Sequence, residues 1–181
     1  RLEQLIGAWL SSDVSTLGWL LGQNDASVAG VAAFALGTIR TDACVDLLVK
    51  RFAGFAGGGV NQDILWAITD TLSLLNPVRV TERAIIPFLD RPVFAGHVAY
   101  LIGKLGIAPL DGEECGFLRQ CLLSESHQLQ GRALRSLSSL YSMQRQKPGL
   151  SPTLEELRGL CHELVLDDFV AASQRDFIHV S

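Results

Sequence analysis

Charge is scarce in this sequence, and what there is leans negative. Charged residues make up 19% of the 181-residue chain, against a usual ~25%. With 15 Lys and Arg against 19 Asp and Glu, the formal net charge is −4, and neither half of the chain is basic. A protein that holds nucleic acid through its phosphates needs a clustered positive surface to displace counterions, so this balance argues against that class of partner. Long apolar runs are missing too. Stretches such as Val31 to Leu36 and Ala84 to Leu89 fall far short of the ~18–20 residues that cross a bilayer, so no membrane-spanning helix is expected. The chain opens Arg1-Leu2-Glu3-Gln4-Leu5 with no Met and no basic start before an apolar run, which reads as a piece of a longer cytoplasmic protein. The four cysteines, Cys44, Cys115, Cys121 and Cys161, form no C-x-x-C pair and are expected as reduced thiols. No Asn-Gly or Asp-Gly hairpin separates alternating apolar runs, so strand signals are weak.

What is present is apolar material at a helical period. Hydrophobic residues reach 48% and mean hydropathy is +0.27, which excludes disorder along most of the chain and supplies a substantial core. Four stretches resemble one another: Val28 to Ile39, Ile64 to Leu75, Phe94 to Leu105 and Leu129 to Leu140. Aligning Leu36, Leu72, Ile102 and Leu137 gives spacings of 36, 30 and 35 residues, and Ile39, Leu75, Leu105 and Leu140 then align as well. Apolar residues recur at three and four, with small ones (Ala32, Ala33, Ala67, Ala99, Ala133) where helices would come close. Between these stretches lies a second helical pattern, at Asp42 to Phe52, Thr81 to Leu89, Asp111 to Leu123, and Ser151 or Thr153 to Leu164. Asp42, Thr81, Asp111 and Ser151 are its expected N-caps.

A repeat of about 34 residues built from two helices predicts an all-α fold. The expectation is a single domain over residues 1–181, an α-solenoid of about four to five stacked antiparallel helix pairs. Leu2 to Leu10 with Ser15 to Leu21 would form an earlier pair, and Asp167 to Ile178 would open a further one. The segment from Asp25-Ala26-Ser27-Val28 through Ala32-Ala33-Phe34-Ala35-Leu36-Gly37-Thr38-Ile39 to Ala43-Cys44-Val45-Asp46-Leu47-Leu48 resembles the HEAT-like repeat of the phycobilin-lyase type. Ala99 to Leu105 and Ala84 to Leu89 look like degenerate copies. The resemblance implies an armadillo-like superhelix, a fold that serves mostly as a binding scaffold.

Catalytic constellations known on such repeats are incomplete here. Di-iron HEAT-like hydroxylases use several His-Glu pairs, and His162-Glu163 stands alone in that form. Cys115 and Cys121 are six apart and Cys161-His162 diverge on a helix, a poor set for zinc. His97, His127 and His179 are isolated. The run Gly54-Phe55-Ala56-Gly57-Gly58-Gly59 lacks the Gly-Lys-Ser/Thr ending of a phosphate loop and reads as an inter-repeat turn. Trp9, Trp19 and Trp66 fall on apolar helical faces and are expected in the core, not in the basic groove of a HEAT-like DNA glycosylase. No catalytic residue, metal or cofactor is therefore assigned.

The expected function is non-enzymatic: contact with a protein or peptide partner, or with other domains of the same polypeptide. An enzyme or enzyme subunit on the same repeats, bilin lyase-like or glycosylase-like, is the alternative. In the second helices Val45, Leu48 and Phe52 fit a buried stripe, which turns Asp46 and Lys50 outward. Glu82, Arg83, Glu114, Arg119, Glu155, Arg158 and His162 occupy equivalent positions, giving a mixed-charge ribbon suited to a patterned protein surface. The connection Tyr141 to Leu150, with two positive charges and no acid, is a second candidate contact.

Overall fold

A computed structural model of the chain describes residues 2–57, 61–106, 113–144 and 155–163. The described residues are mostly helical, joined by short turns, and include no strand. The helices are α1 (Leu2–Leu10), α2 (Val14–Leu21), α3 (Ala26–Ile39), α4 (Asp42–Ala53), α5 (Gln62–Leu72), α6 (Pro77–Val80), α7 (Ala95–Leu105), α8 (Glu113–Leu122) and α9 (His127–Gln144). Residues 155–163 are also helical and form α10.

Short polar side chains start these helices by accepting from amides that have no partner in the first turn. Asp13 takes the amides and hydroxyls of Ser15 and Thr16, and these bonds hold its carboxyl near a pKa of about 2. Asp25 caps α3 and Asn61 caps α5 in the same way. Two expected caps are corrected. Thr41, not Asp42, accepts from the Cys44 amide at the start of α4, and Asp42 sits in the first turn, where its charge suits the positive end of the helix. Asn76, not Thr81, caps the next helix, with Pro77 at its first position. Asp111 and Ser151, the other two expected caps, lie outside the described residues.

The helix expected over Thr81 to Leu89 is broken into two pieces. After α6, Thr81–Ile85 form a π-turn and Ile86–Phe88 a 3-10 turn. Pro87 is the cause: it has no N–H to donate, and its ring collides with the carbonyl four residues back, which forces the α-helical ladder to change pitch before it. Arg91 and Pro92 begin a further 3-10 turn, Pro92–Phe94, that leads into α7. Phe52 of α4 fills the resulting corner, with ring centroids 5.2 Å from Phe88 and 4.6 Å from Phe94.

The residues aligned by spacing in the sequence lie in the core. Leu36, Leu72, Ile102 and Leu137 are all buried, as are Leu75 and Leu140, while Ile39 and Leu105 are half-buried against the same core. The helices α3, α5, α7 and α9 lie side by side and point the same way. Gly30 faces Ala67, and Gly37 faces Thr71 so closely that a Cβ would strike its methyl group. Thr69 meets His97 at 3.0 Å, 28 positions on. Ser136 donates to the Ala99 carbonyl at 2.6 Å, 37 positions away, and a Cβ on Gly103 would stand 2.5 Å from the Ser136 Cα. The contacts advance along both partners, from Gly30–Ala67 to Gly37–Thr71, from Thr69–His97 to Ser73–Tyr100 and from Gly96–Arg132 to Gly103–Ser136, so the helices run parallel in register. The second helices repeat this pattern: Asp42 pairs with Arg79 and Asp46 with Arg83, four residues further along each. Gly54–Gly57 form a 3-10 turn after α4, so the first part of the glycine run is ordered helical turn.

Candidate functional site

The expected mixed-charge ribbon is exposed, but much of it is engaged. Val45, Leu48 and Phe52 are buried, and Asp46 and Lys50 face out. Glu82, Glu155, Arg158, His162 and Arg119 are exposed, with Arg83 and Glu114 half-buried. Asp46 is paired with Arg83 across two helices. Arg158 lies 3.6 Å from Glu155, donates to the Tyr141 hydroxyl at 3.2 Å, and stacks over the Tyr141 ring. Arg119 lines a cleft of ≈ 440 Å³ between α8 and α10 together with Glu156 and Glu163. The ribbon thus divides into separate clusters. Of the Tyr141 to Leu150 connection, Tyr141 to Gln144 are the last turn of α9 and the rest lies outside the described residues.

The aromatic residues lead elsewhere. None of the three Trp side chains is in the buried core: Trp19 is 54% exposed, and Trp9 and Trp66 are half-buried. Trp9 donates through Nε1 to Thr38 and meets Phe34 edge-on, which ties α1 to α3. Trp66 has a different setting. The His97 ring lies over it with centroids 4.0 Å apart, Tyr100 meets its edge at 5.6 Å, and the Arg132 guanidinium stands 4.3 Å above it. One residue each from α5 and α9 and two from α7 therefore form a single stack.

Thr69 fixes the histidine in this stack. Its hydroxyl hydrogen goes to the Leu65 carbonyl at 2.7 Å, so at the 3.0 Å contact with His97 it can only accept. His97 Nδ1 is then the donor, and the lone pair of the neutral ring is on Nε2. Burial first, and the nearby positive charge of Arg132 second, push the His97 pKa down to about 4, so the ring is neutral at physiological pH. Tyr100 is pushed up to about 12 by burial, by its hydrogen bond to Asp70 and by that carboxylate's charge. Neither group is tuned to move protons near neutrality.

A groove of ≈ 470 Å³ opens beside the stack, lined by Trp66, Tyr100, Lys104, Arg132, Arg135 and Ser139 among others. A second basin of ≈ 510 Å³ shares Trp66 and Arg132 and continues past His97 to Gln128 and Ser126. Three cations face this trough. Arg132 is held over Trp66 and Lys104 over the Tyr100 ring at 5.6 Å, while burial first, and the repulsion of Arg135 second, lower the Arg132 pKa. Among the described residues none of the three makes an ion pair with a carboxylate. No protein-family model, curated protein or solved structure matches the chain.

Sequence reasoning missed this groove, although a signal was there. From Ser126 to Leu154 the sequence carries Arg132, Arg135, Arg145 and Lys147 and no acid, a local basic stretch hidden inside an acidic total.

Other chemistries find less support in the geometry. Among the described residues no three His, Cys, Asp or Glu side chains converge as a metal-holding group. Cys44, Cys115 and Cys121 are buried and Cys161 is half-buried, and burial raises the Cys121 thiol to about 11 and the Cys161 thiol upward as well, away from nucleophilic thiolates. Among the described residues no helix is long and apolar enough to cross a membrane.

Proposed function

We propose that the chain is a segment of a HEAT-like α-solenoid that works without catalysis, as a scaffold for a protein partner or for another domain of its own polypeptide. Support for the array comes from the parallel register of α3, α5, α7 and α9 and from the matching Asp42–Arg79 and Asp46–Arg83 rungs between second helices. A stack of this kind presents long faces made of successive helices, which suits extended contact. The observation that carries the functional reading is the trough across α5, α7 and α9, where Arg132, Arg135 and Lys104 stand without a carboxylate counterpart among the described residues. Unpaired charge gathered in one groove is poor for stability and useful for recognition. This moves the preferred contact surface from the second helices, where Asp46 and Arg83 satisfy each other, to the first.

Affinity capture with the chain as bait tests this reading. Charge reversal at Arg132 and Arg135 is expected to abolish partner capture, and reversal at Lys50, Arg119 and Arg158 to weaken it less. Equal capture by both variants and the unmodified chain overturns the placement of the contact at the trough, and absence of any captured partner overturns the scaffold reading.

A further inference from the structure

We infer that the trough along α9 binds an extended, acidic peptide segment, with Arg132 and Arg135 holding its carboxylates. The inference rests on the scaffold reading and names the chemistry of the partner. Length argues for a linear segment. The two basins run from Gln128 to Ser139 and meet at Trp66 and Arg132; along a helix that is about 16 Å, the reach of about five residues of extended chain. A lone anion would leave most of that length empty.

Charge and preorganisation argue for carboxylates. Arg132 cannot swing freely, because Trp66 lies beneath its guanidinium and Gly96 of α7 leaves the space its outer nitrogen occupies. A planar fork held in place loses little entropy when it grips a carboxylate with two parallel hydrogen bonds. Arg135 and Lys104 extend the same positive field along the groove, and the repulsion between Arg132 and Arg135 is relieved when an anion sits between them. Single-stranded nucleic acid fits less well. It needs open aromatic faces for its bases, and the Trp66 ring is already taken by His97, Arg132 and Tyr100.

Fluorescence anisotropy with four labelled probes decides the matter: a Glu-rich heptapeptide, its Gln and Lys counterparts, and an oligothymidylate of similar length. The Glu peptide is expected to bind at least about tenfold tighter than the Gln peptide and to weaken severalfold as NaCl rises from about 50 to about 300 mM. The Arg132→Gln, Arg135→Gln double variant should lose at least about tenfold in affinity. Gly96→Ala, whose new methyl displaces the Arg132 guanidinium but meets no backbone of α9, should lose severalfold with an unchanged circular dichroism spectrum. That variant separates loss of the site from loss of the fold. If the Gln or Lys peptide binds equally well and the Arg substitutions matter, the groove is a protein interface but the acidic assignment is wrong. If the oligothymidylate binds best, both the assignment and the protein-scaffold reading fall. If no probe binds, the acidic assignment is overturned, while the scaffold reading is decided by partner capture.

Discussion

His97 is the residue with the sharpest dependence on solution conditions. Its folded-state pKa of about 4 lies below the ordinary 6.5, so the unfolded chain binds its proton first. The sign follows from that order. Above pH 6.5 the group has no effect on stability; as pH falls from 6.5 toward 4 the unfolded state gains protons the folded state refuses, and stability drops. The loss should amount to about 2–3 kcal/mol. Urea titrations across that window are expected to show this slope, and His97→Gln, which keeps a donor toward Thr69, should flatten it. An unchanged slope in the variant would mean that some other group carries the acid sensitivity.

Two glycines of α7, seven residues apart, separate packing from function. At Gly103 an added methyl meets the Ser136 Cα at 2.5 Å and its Cβ at 2.7 Å, both fixed to the backbone of α9. Gly103→Ala should therefore cost about 1–3 kcal/mol, read as a lowered denaturation midpoint. At Gly96 the obstacle is the outer end of the Arg132 side chain, whose displacement gives up its contact with Trp66 without straining a backbone, so Gly96→Ala is expected to change stability by less than about 1 kcal/mol. The sequence pattern placed Ala99 and Ala133 at a helix contact correctly, since both are fully buried. It misplaced the tryptophans, because an apolar face on a helix does not say whether a neighbour covers all of it. In Trp66 the cover is a guanidinium, a partner that hydrophobic periodicity cannot register.

At the scale of the helix, legibility followed local chemistry. The four stretches aligned by spacing became α3, α5, α7 and α9, because one-sided burial imposes its period on any sequence that satisfies it. The second helices were harder. Thr81 to Leu89 has the right apolar spacing, yet Pro87 removes a donor from the middle of it, and the start moved back to Asn76-Pro77. An Asx residue followed by Pro was the stronger start signal there. The caps themselves are testable. Asn61 accepts from both the Asp63 and Ile64 amides at 3.1 and 3.3 Å, and α5 positions Trp66 one turn later. Asn61→Ala should lower global stability by about 1 kcal/mol, while Asn61→Asp, which retains the acceptor, should be neutral or better in thermal melts.

The candidate site was the least legible part, and the reason is geometric. Its residues come from α5, α7 and α9, about thirty positions apart in sequence, so no local motif contains them. What sequence alone offered was the acid-free stretch around Arg132 and Arg135. Its place in a groove follows only from the packing that sets Arg132 over Trp66, beside Tyr100.

The parallel register has one more consequence, for how fast the chain finds its fold. Among the described residues no hydrogen bond or ion pair between helices joins positions more than 37 apart in a chain of 181. Core ring contacts such as Phe52–Phe94 reach only a little further, so among the described residues the loop closures are short and the entropic barrier to the first productive contacts is that of about forty residues and not of the whole chain. Stopped-flow refolding should be complete within about milliseconds in its main phase, and Gly103→Ala, which strains the α7–α9 seam, should speed unfolding more than it slows folding if that seam closes late. Addition of one more helix pair through contacts of the same kind would leave the folding time almost unchanged.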